Sequence, residues 1–161
     1  MVSFGWYATI GLESRRMSRF YDIDAANAAV PELDGIVAVL GEQRSELVRL
    51  RDEVLAAGSG GEAAPAPVTA PAGSGEAPIS NELRLVRLRM QGLIDQMAAG
   101  VARIDALGLT LRDIERGLVD FPALVSGRQV WLCWQRGETA IGWWHDLETG
   151  FDGRRPLAEL A

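Results

Sequence analysis

Two stretches of sequence decide the fold: ANAAVPELDGIVAVLGEQRSELVRLRDEV, from Ala26 to Val54, and ISNELRLVRLRMQGLIDQMAAGVARIDAL, from Ile79 to Leu107. In the first, Ala26, Ala29, Leu33, Ile36, Leu40, Gln43, Leu47, Leu50 and Val54 alternate steps of three and four residues. In the second, Ile79, Leu83, Val86, Met90, Leu93, Met97, Gly100, Ile104 and Leu107 do the same. Such spacing puts every member on one side of an α-helix, and sustained over about four heptads it marks a coiled-coil seam. The equal seams predict an antiparallel helical hairpin with Leu33 opposite Gly100 and Gln43 near Met90.

Between the seams lies GSGGEAAPAPVTAPAGSGEAP, Gly58 to Pro78, with no aromatic residue and Val68 as its one branched aliphatic. It cannot bury enough apolar surface to offset its ordering entropy, and reads as a flexible linker. Beside the seams, positions near the hairpin tip are polar (Arg44, Arg51, Ser80, Arg87), and those near the base are apolar (Val30, Val37, Ile94, Val101). The base therefore needs a third layer. Asp22 or Asp24 is the expected cap of the first helix. Pro31 is expected to start the long helix after a short turn from Ile23 to Ala29. Gly108 fits the end of the second helix, and Leu111 to Arg116 reads as a short helix stopped by Gly117.

The third layer reads as β. Leu118 to Leu124 is an irregular strand, placed at an edge by Pro122. Ser126-Gly127 is a turn, Arg128 to Gln135 a strand, Arg136 to Thr139 a hairpin turn, and Ala140 to Asp146 the returning strand. In the simplest register one face carries Val130, Leu132, Trp134, Ile141, Trp143 and His145. The other carries Trp131, Cys133, Ala140, Gly142 and Trp144, which separates Cys133 from His145. Phe20-Tyr21 is available as one more strand. The fold class is thus α+β: a long antiparallel helical hairpin, coiled-coil-like, with a small antiparallel β-sheet packed at its base. Residues 1–17 are expected to be a disordered N-terminal extension, with Met17 the natural start. Residues 18–161 form one domain: 18–57 strand and first helix, 58–78 linker, 79–117 second helix and short helix, 118–161 sheet and tail.

Composition excludes much chemistry. The 161 residues are 48% hydrophobic, enough for the core of one domain, yet no uncharged apolar run is long enough to span a membrane. The first residues lack the order of a signal peptide, so a cytoplasmic location is expected. All 16 basic residues are Arg, which removes P-loop, kinase-type and Schiff-base lysines. With 1 Cys and 1 His, neither an intramolecular disulfide nor a multi-Cys or multi-His metal site can form within one chain. A net charge of −6 argues against nucleic-acid binding.

The motifs GLVDFPA (Gly117 to Ala123), LCW (Leu132 to Trp134), GE (Gly137-Glu138), WWH (Trp143 to His145) and GF…R (Gly150, Phe151, Arg154) resemble the C-terminal signature of a bacterial and archaeal family, domain of unknown function 2203. FYDIDAANAAVPEL, Phe20 to Leu33, is similar to that family's opening segment. The resemblance covers about Phe20 to Leu157 apart from the linker, and implies no activity and no catalytic residue.

The residues leave two readings of function. In the first, the chain is a non-enzymatic helical-hairpin interaction or oligomerisation module. It forms a homodimer or meets a protein partner through the hairpin, without nucleic acid, membrane, cofactor or assigned metal ligand. Leu85 and Leu88, with Val48 and Leu55, point away from the seam and mark the contact. In the second, a small-ligand or metal-assisted site surrounds His145 and Glu138 on the Trp-rich sheet. Trp144 and Trp134 would stack a flat group, Arg128 or Arg154 would clamp an anion, and Glu138, Asp146 or Asp120 would orient the imidazole. Cys133 is expected to be a buried, inert core residue. An open cleft at His145 favours the second reading, and a packed histidine bonded to backbone favours the first.

Overall fold

The computed structural model describes residues 19–59 and 81–160. The expected extension at 1–17, nearly all of the linker expected at 58–78, and Ile79 lie outside the described residues. Helix α1 runs Ile23–Ser59 and α2 runs Asn81–Ala106, and the two pack along the apolar seams. Leu33, Leu40 and Leu50 of α1 and Leu93 and Ile104 of α2 are buried. The ion pairs Glu32–Arg103 and Glu46–Arg89 run in opposite order along the two helices, so the hairpin is antiparallel.

The hairpin is offset from the expected pairing by one heptad. Gly100 faces Leu40 instead of Leu33: a Cβ at residue 100 would stand 2.9 Å from Leu40 Cδ2. Gln43 finds its polar partner in Gln96, to whose Oε1 it donates at 3.1 Å. Equal seam lengths suggested pairing end to end, but the first turns of α1 are engaged elsewhere. Ala26, Val30 and Leu33 belong to the core that α1 builds with the sheet. Pro31 also departs from expectation, lying inside α1. It is exposed, while Val30 and Leu33 anchor the opposite side, so one lost helical hydrogen bond costs less than releasing the anchored face. Ile94, expected under the third layer, is 46% exposed because the sheet does not reach it.

Local chemistry sets the helix ends. Asp22 is the cap, its Oδ1 accepting the Ala25 N–H at 2.7 Å. At the end of α2, Gly108 takes φ +76°, the Leu109 N–H donates to Ile104 O, and the Gly108 N–H donates to Asp105 O. This pair of bonds is a Schellman closure, and its left-handed residue favours glycine.

The chain then enters strand β1, Thr110–Asp113, where a short helix was expected. Leu109 is driven into the core, Leu111 pairs with Val119, and Asp113 Oδ1 accepts the N–H groups of Glu115 and Arg116 to form a turn. A short apolar segment carries no period that separates helix from strand. The remaining strands are β2 (Leu118–Val125), β3 (Arg128–Gln135), β4 (Trp143–His145) and β5 (Arg155–Pro156). They form one antiparallel five-stranded sheet in the order β1-β2-β3-β4-β5. Ser126 and Gly127, both at positive φ, close the β2–β3 hairpin as expected.

Pro122 therefore sits in an interior strand, against expectation. Its carbonyl accepts the Tyr21 N–H, so its nitrogen side faces away from β3. The β1–β2 pairing ends at Asp120, and no ladder bond is lost at Pro122. Phe20-Tyr21 forms that single backbone contact without becoming a strand. Tyr21 also donates its hydroxyl to Leu107 O at 2.6 Å and meets Phe121 edge-on.

The β3–β4 connection differs most. The observed partners are Trp131 with His145, Leu132 with Trp144, and Cys133 with Trp143. Trp144 joins Val130, Leu132 and Trp134 on the helix-facing side, and His145 and Trp143 join Trp131 and Cys133 on the other. The connection runs through Gly142 because it is tied into a longer loop. Trp134 Nε1 donates to Glu138 O, the Gln135 N–H donates to Glu138 Oε2, and the Ile141 N–H donates to Asn27 Oδ1. A register change of one residue reverses every side chain of the strand.

Candidate functional site

Three neighbouring strands bring Asp120, Cys133 and His145 together on the face away from the helices. Asp120 and Cys133 are register partners on β2 and β3, and His145 on β4 lies diagonally from Cys133. All three are buried, at 1%, 0% and 1% exposure. They include the only Cys and the only His of the chain. One ligand atom from each lies within 4.8 Å of the others.

The hydrogen bonds assign the roles of the atoms. His145 Nδ1 stands 2.8 Å from Asp146 O, a carbonyl that only accepts, so Nδ1 carries a proton. His145 Nε2 then faces Asp120 Oδ2 at 3.1 Å. That oxygen also accepts Arg112 Nε–H at 2.7 Å. Asp120 Oδ1 is buried without a hydrogen-bond partner. The Asp120 carboxylate lies close enough to the Cys133 thiol for its charge to act on it. Burial, and then the Asp120 carboxylate, push that thiol up to about 12. Without a metal, Cys133 is not a nucleophilic thiolate.

Arginine and aromatic side chains roof this face. Arg112 lies over Trp131, Arg154 lies over Trp143 and Phe151, and Arg116 lies over Phe151. A surface hollow of about 660 Å³ opens beside Trp131, between the end of α2 and Pro122. One sulfur, one imidazole nitrogen and one carboxylate oxygen make Asp120, Cys133 and His145 the group among the described residues able to hold a metal ion.

The model of a family described as an uncharacterised conserved protein, DUF2203, matches residues 19–157. The chain belongs to the DUF2203 family. The matched span takes in α1, α2 and all five strands, and hence the whole Asp120–Cys133–His145 cluster. No curated protein and no solved structure matches the chain. DUF2203 carries no activity in its description, so the site is read from geometry alone.

The residues singled out in the sequence are distributed between the core, the β3–β4 loop and the sheet face in this DUF2203 protein. Trp134 and Trp144 lie in the core toward α1. Glu138 is turned into the β3–β4 loop, where it accepts the Gln135 N–H and a fork from Arg154 Nη2 at 2.9 and 3.1 Å. Arg154 is thereby a tether for the tail and is largely covered. Arg128 pairs with Asp146 Oδ1 at 3.0 Å and lies over Trp144, with Arg155 also on that ring. Arg154, over Trp143, lies on the same face as His145, and its charge and that of Glu138 reach the Cys133 thiol. Of the expected orienters of His145, Asp120 takes the position by side chain and Asp146 by backbone carbonyl. The expected separation of Cys133 from His145 is overturned: the observed register puts them on one face. Sequence reasoning did not group Asp120 with Cys133, nor single out Arg112. The available signal was the lone carboxylate inside the apolar strand LVDFPALV, since an unpaired charge is rarely fully buried.

Proposed function

We propose that the protein is a non-enzymatic helical-hairpin interaction module that pairs with a second copy of itself through the outer face of the hairpin tip. One observation carries this reading. Leu85 and Leu88, neighbours at a spacing of three on α2, are 66% and 68% exposed. Solvent-facing positions of a two-helix hairpin are ordinarily charged, and an adjacent leucine pair there is the mark of a covered contact.

Charge complementarity names the occupant. Arg84 and Arg87 flank the leucines on α2, while Asp52 and Glu53, each paired to an arginine of its own helix (Arg51 and Arg49), are exposed on α1 near the same tip and can exchange partners in a contact. A two-fold axis that lays α2 of one copy on α1 of the other brings basic against acidic at both contacts. His145 sits in no open cleft, which supports a module: the imidazole is buried, with Nδ1 on a backbone carbonyl and Nε2 on the Asp120 carboxylate. No helix among the described residues is long and apolar enough to cross a membrane.

Sedimentation equilibrium tests the proposal. The wild type is expected to be dimeric at tens of micromolar and to weaken with added salt, and Leu85→Glu with Leu88→Glu to be monomeric with unchanged helix content. A monomeric wild type overturns self-association, and a double variant that stays dimeric removes the contact from this face.

A further inference from the structure

We propose that Asp120, Cys133 and His145 form a binding site for one divalent transition-metal ion, with zinc as the fitting occupant. The first argument is convergence. The chain has 1 Cys and 1 His. Both are carried to the same face of the sheet, beside a carboxylate, with the three ligand atoms within 4.8 Å of one another. Tetrahedral zinc with bonds of about 2.0–2.3 Å holds its ligands roughly 3.3–3.8 Å apart, so side-chain rotation of about 1 Å closes the set.

The second argument is the state of each donor atom. His145 Nδ1 is occupied by Asp146 O, which fixes the ring and presents Nε2 to the other two residues, the usual outer-shell arrangement of a ligating histidine. Asp120 Oδ2 is occupied by Arg112, yet Oδ1 of the same carboxylate is buried with no partner. A buried carboxylate oxygen left bare is costly, and a cation satisfies it. Arg112 keeps Oδ2 while Oδ1 turns to the metal.

The donor set selects the class of ion. Sulfur with imidazole and one carboxylate oxygen disfavours calcium and magnesium, which take oxygen shells, and suits zinc or cobalt. On binding, the thiol proton of Cys133 and any proton held between His145 Nε2 and Asp120 leave to solvent, and the metal takes their place. Three protein ligands leave one coordination position, and the hollow lined by Trp131 adjoins this face.

Cobalt titration of the full, untagged chain, first stripped with a chelator, decides the matter. One equivalent is expected to give the visible bands of tetrahedral cobalt and a near-ultraviolet thiolate-to-cobalt band, both displaced by zinc. Cys133 is the only thiol, so that band reports this residue alone. Cys133→Ala should abolish the band and the rise in melting temperature on adding zinc, and Asp120→Asn or His145→Gln should weaken zinc binding at least tenfold. A wild type without a thiolate-to-cobalt band at saturating cobalt overturns the proposal whatever the variants do, as does a band that survives Cys133→Ala.

Discussion

Asn27 of α1 holds Ile141 of the β3–β4 loop by a hydrogen bond of 2.8 Å from the Ile141 N–H to Asn27 Oδ1, across 114 positions of sequence. The bond fixes where the loop ends and β4 begins, and so helps to set the register that places His145 beside Cys133. Asn27→Ala leaves the N–H of the buried Ile141 unpaired and is expected to cost about 1–3 kcal/mol in a denaturant titration. Asn27→Asp keeps the acceptor and should retain most of that stability. Exchange of the Ile141 amide should accelerate in the alanine variant and not in the aspartate one.

Two glycines should answer differently to alanine. At Gly117, φ is +63° and a Cβ would stand 2.6 Å from Arg136 Cβ and 2.8 Å from Val37 Cγ1. Backbone strain and collision add, and Gly117→Ala is expected to cost at least about 2 kcal/mol. At Gly100 the new methyl would stand 2.9 Å from Leu40 Cδ2 and 3.2 Å from its Cγ, so this buried side chain must shift, and the better helix propensity of alanine, about 1 kcal/mol, offsets part of that crowding. Gly100→Ala should lie within about 1 kcal/mol of wild type, whereas Gly100→Leu overpacks the seam by about 1–3 kcal/mol. Equilibrium unfolding of the three variants checks the order.

Cys133 should resist alkylation in the native, chelator-treated protein. Burial raises its thiol to about 12, so at pH 8 about one thiol in ten thousand is ionised, and the side chain has no exposed surface. Iodoacetamide is expected to label it only at the rate of unfolding, with full labelling in denaturant. Fast native labelling at pH 8 would contradict the packing described.

Asp113 supplies a pH dependence of known sign. The backbone N–H of Arg116 foremost, with that of Glu115 and the charges of Arg116 and Arg44, holds its carboxyl below the ordinary 3.8. A carboxyl depressed in the folded state contributes stability above its unfolded value, and loses it as pH falls through the folded one. The stability difference between wild type and Asp113→Ala should therefore be constant at neutral pH and shrink only below the ordinary carboxyl range. NMR titration of the Asp113 carboxyl should place its midpoint below 3.8.

Much of the architecture was legible in short stretches. Leu33, Leu40, Leu50, Leu93 and Ile104 are buried where the heptad spacing put them, because helical period is a property of neighbours along the chain. Asp22, Gly108 and Ser126-Gly127 act as read, since a cap or a tight turn is decided by the few residues that form it. Strands β2 and β3 were visible for the same reason. The segment Leu111 to Arg116 was not, because so short a stretch fits helix or strand until a partner strand chooses.

What the residues could not state is which of them meet across the fold. The hairpin offset that sets Leu40 over Gly100 depends on how much of α1 the sheet claims, which no property of either seam encodes. The grouping of Asp120, Cys133 and His145 depends on a one-residue register. That register is settled by the bonds of the loop, the local one from Trp134 to Glu138 and the distant one between Asn27 and Ile141 among them. A strand has period two, so its residues are equally regular in either register. Only contacts between remote segments select the face on which a histidine emerges.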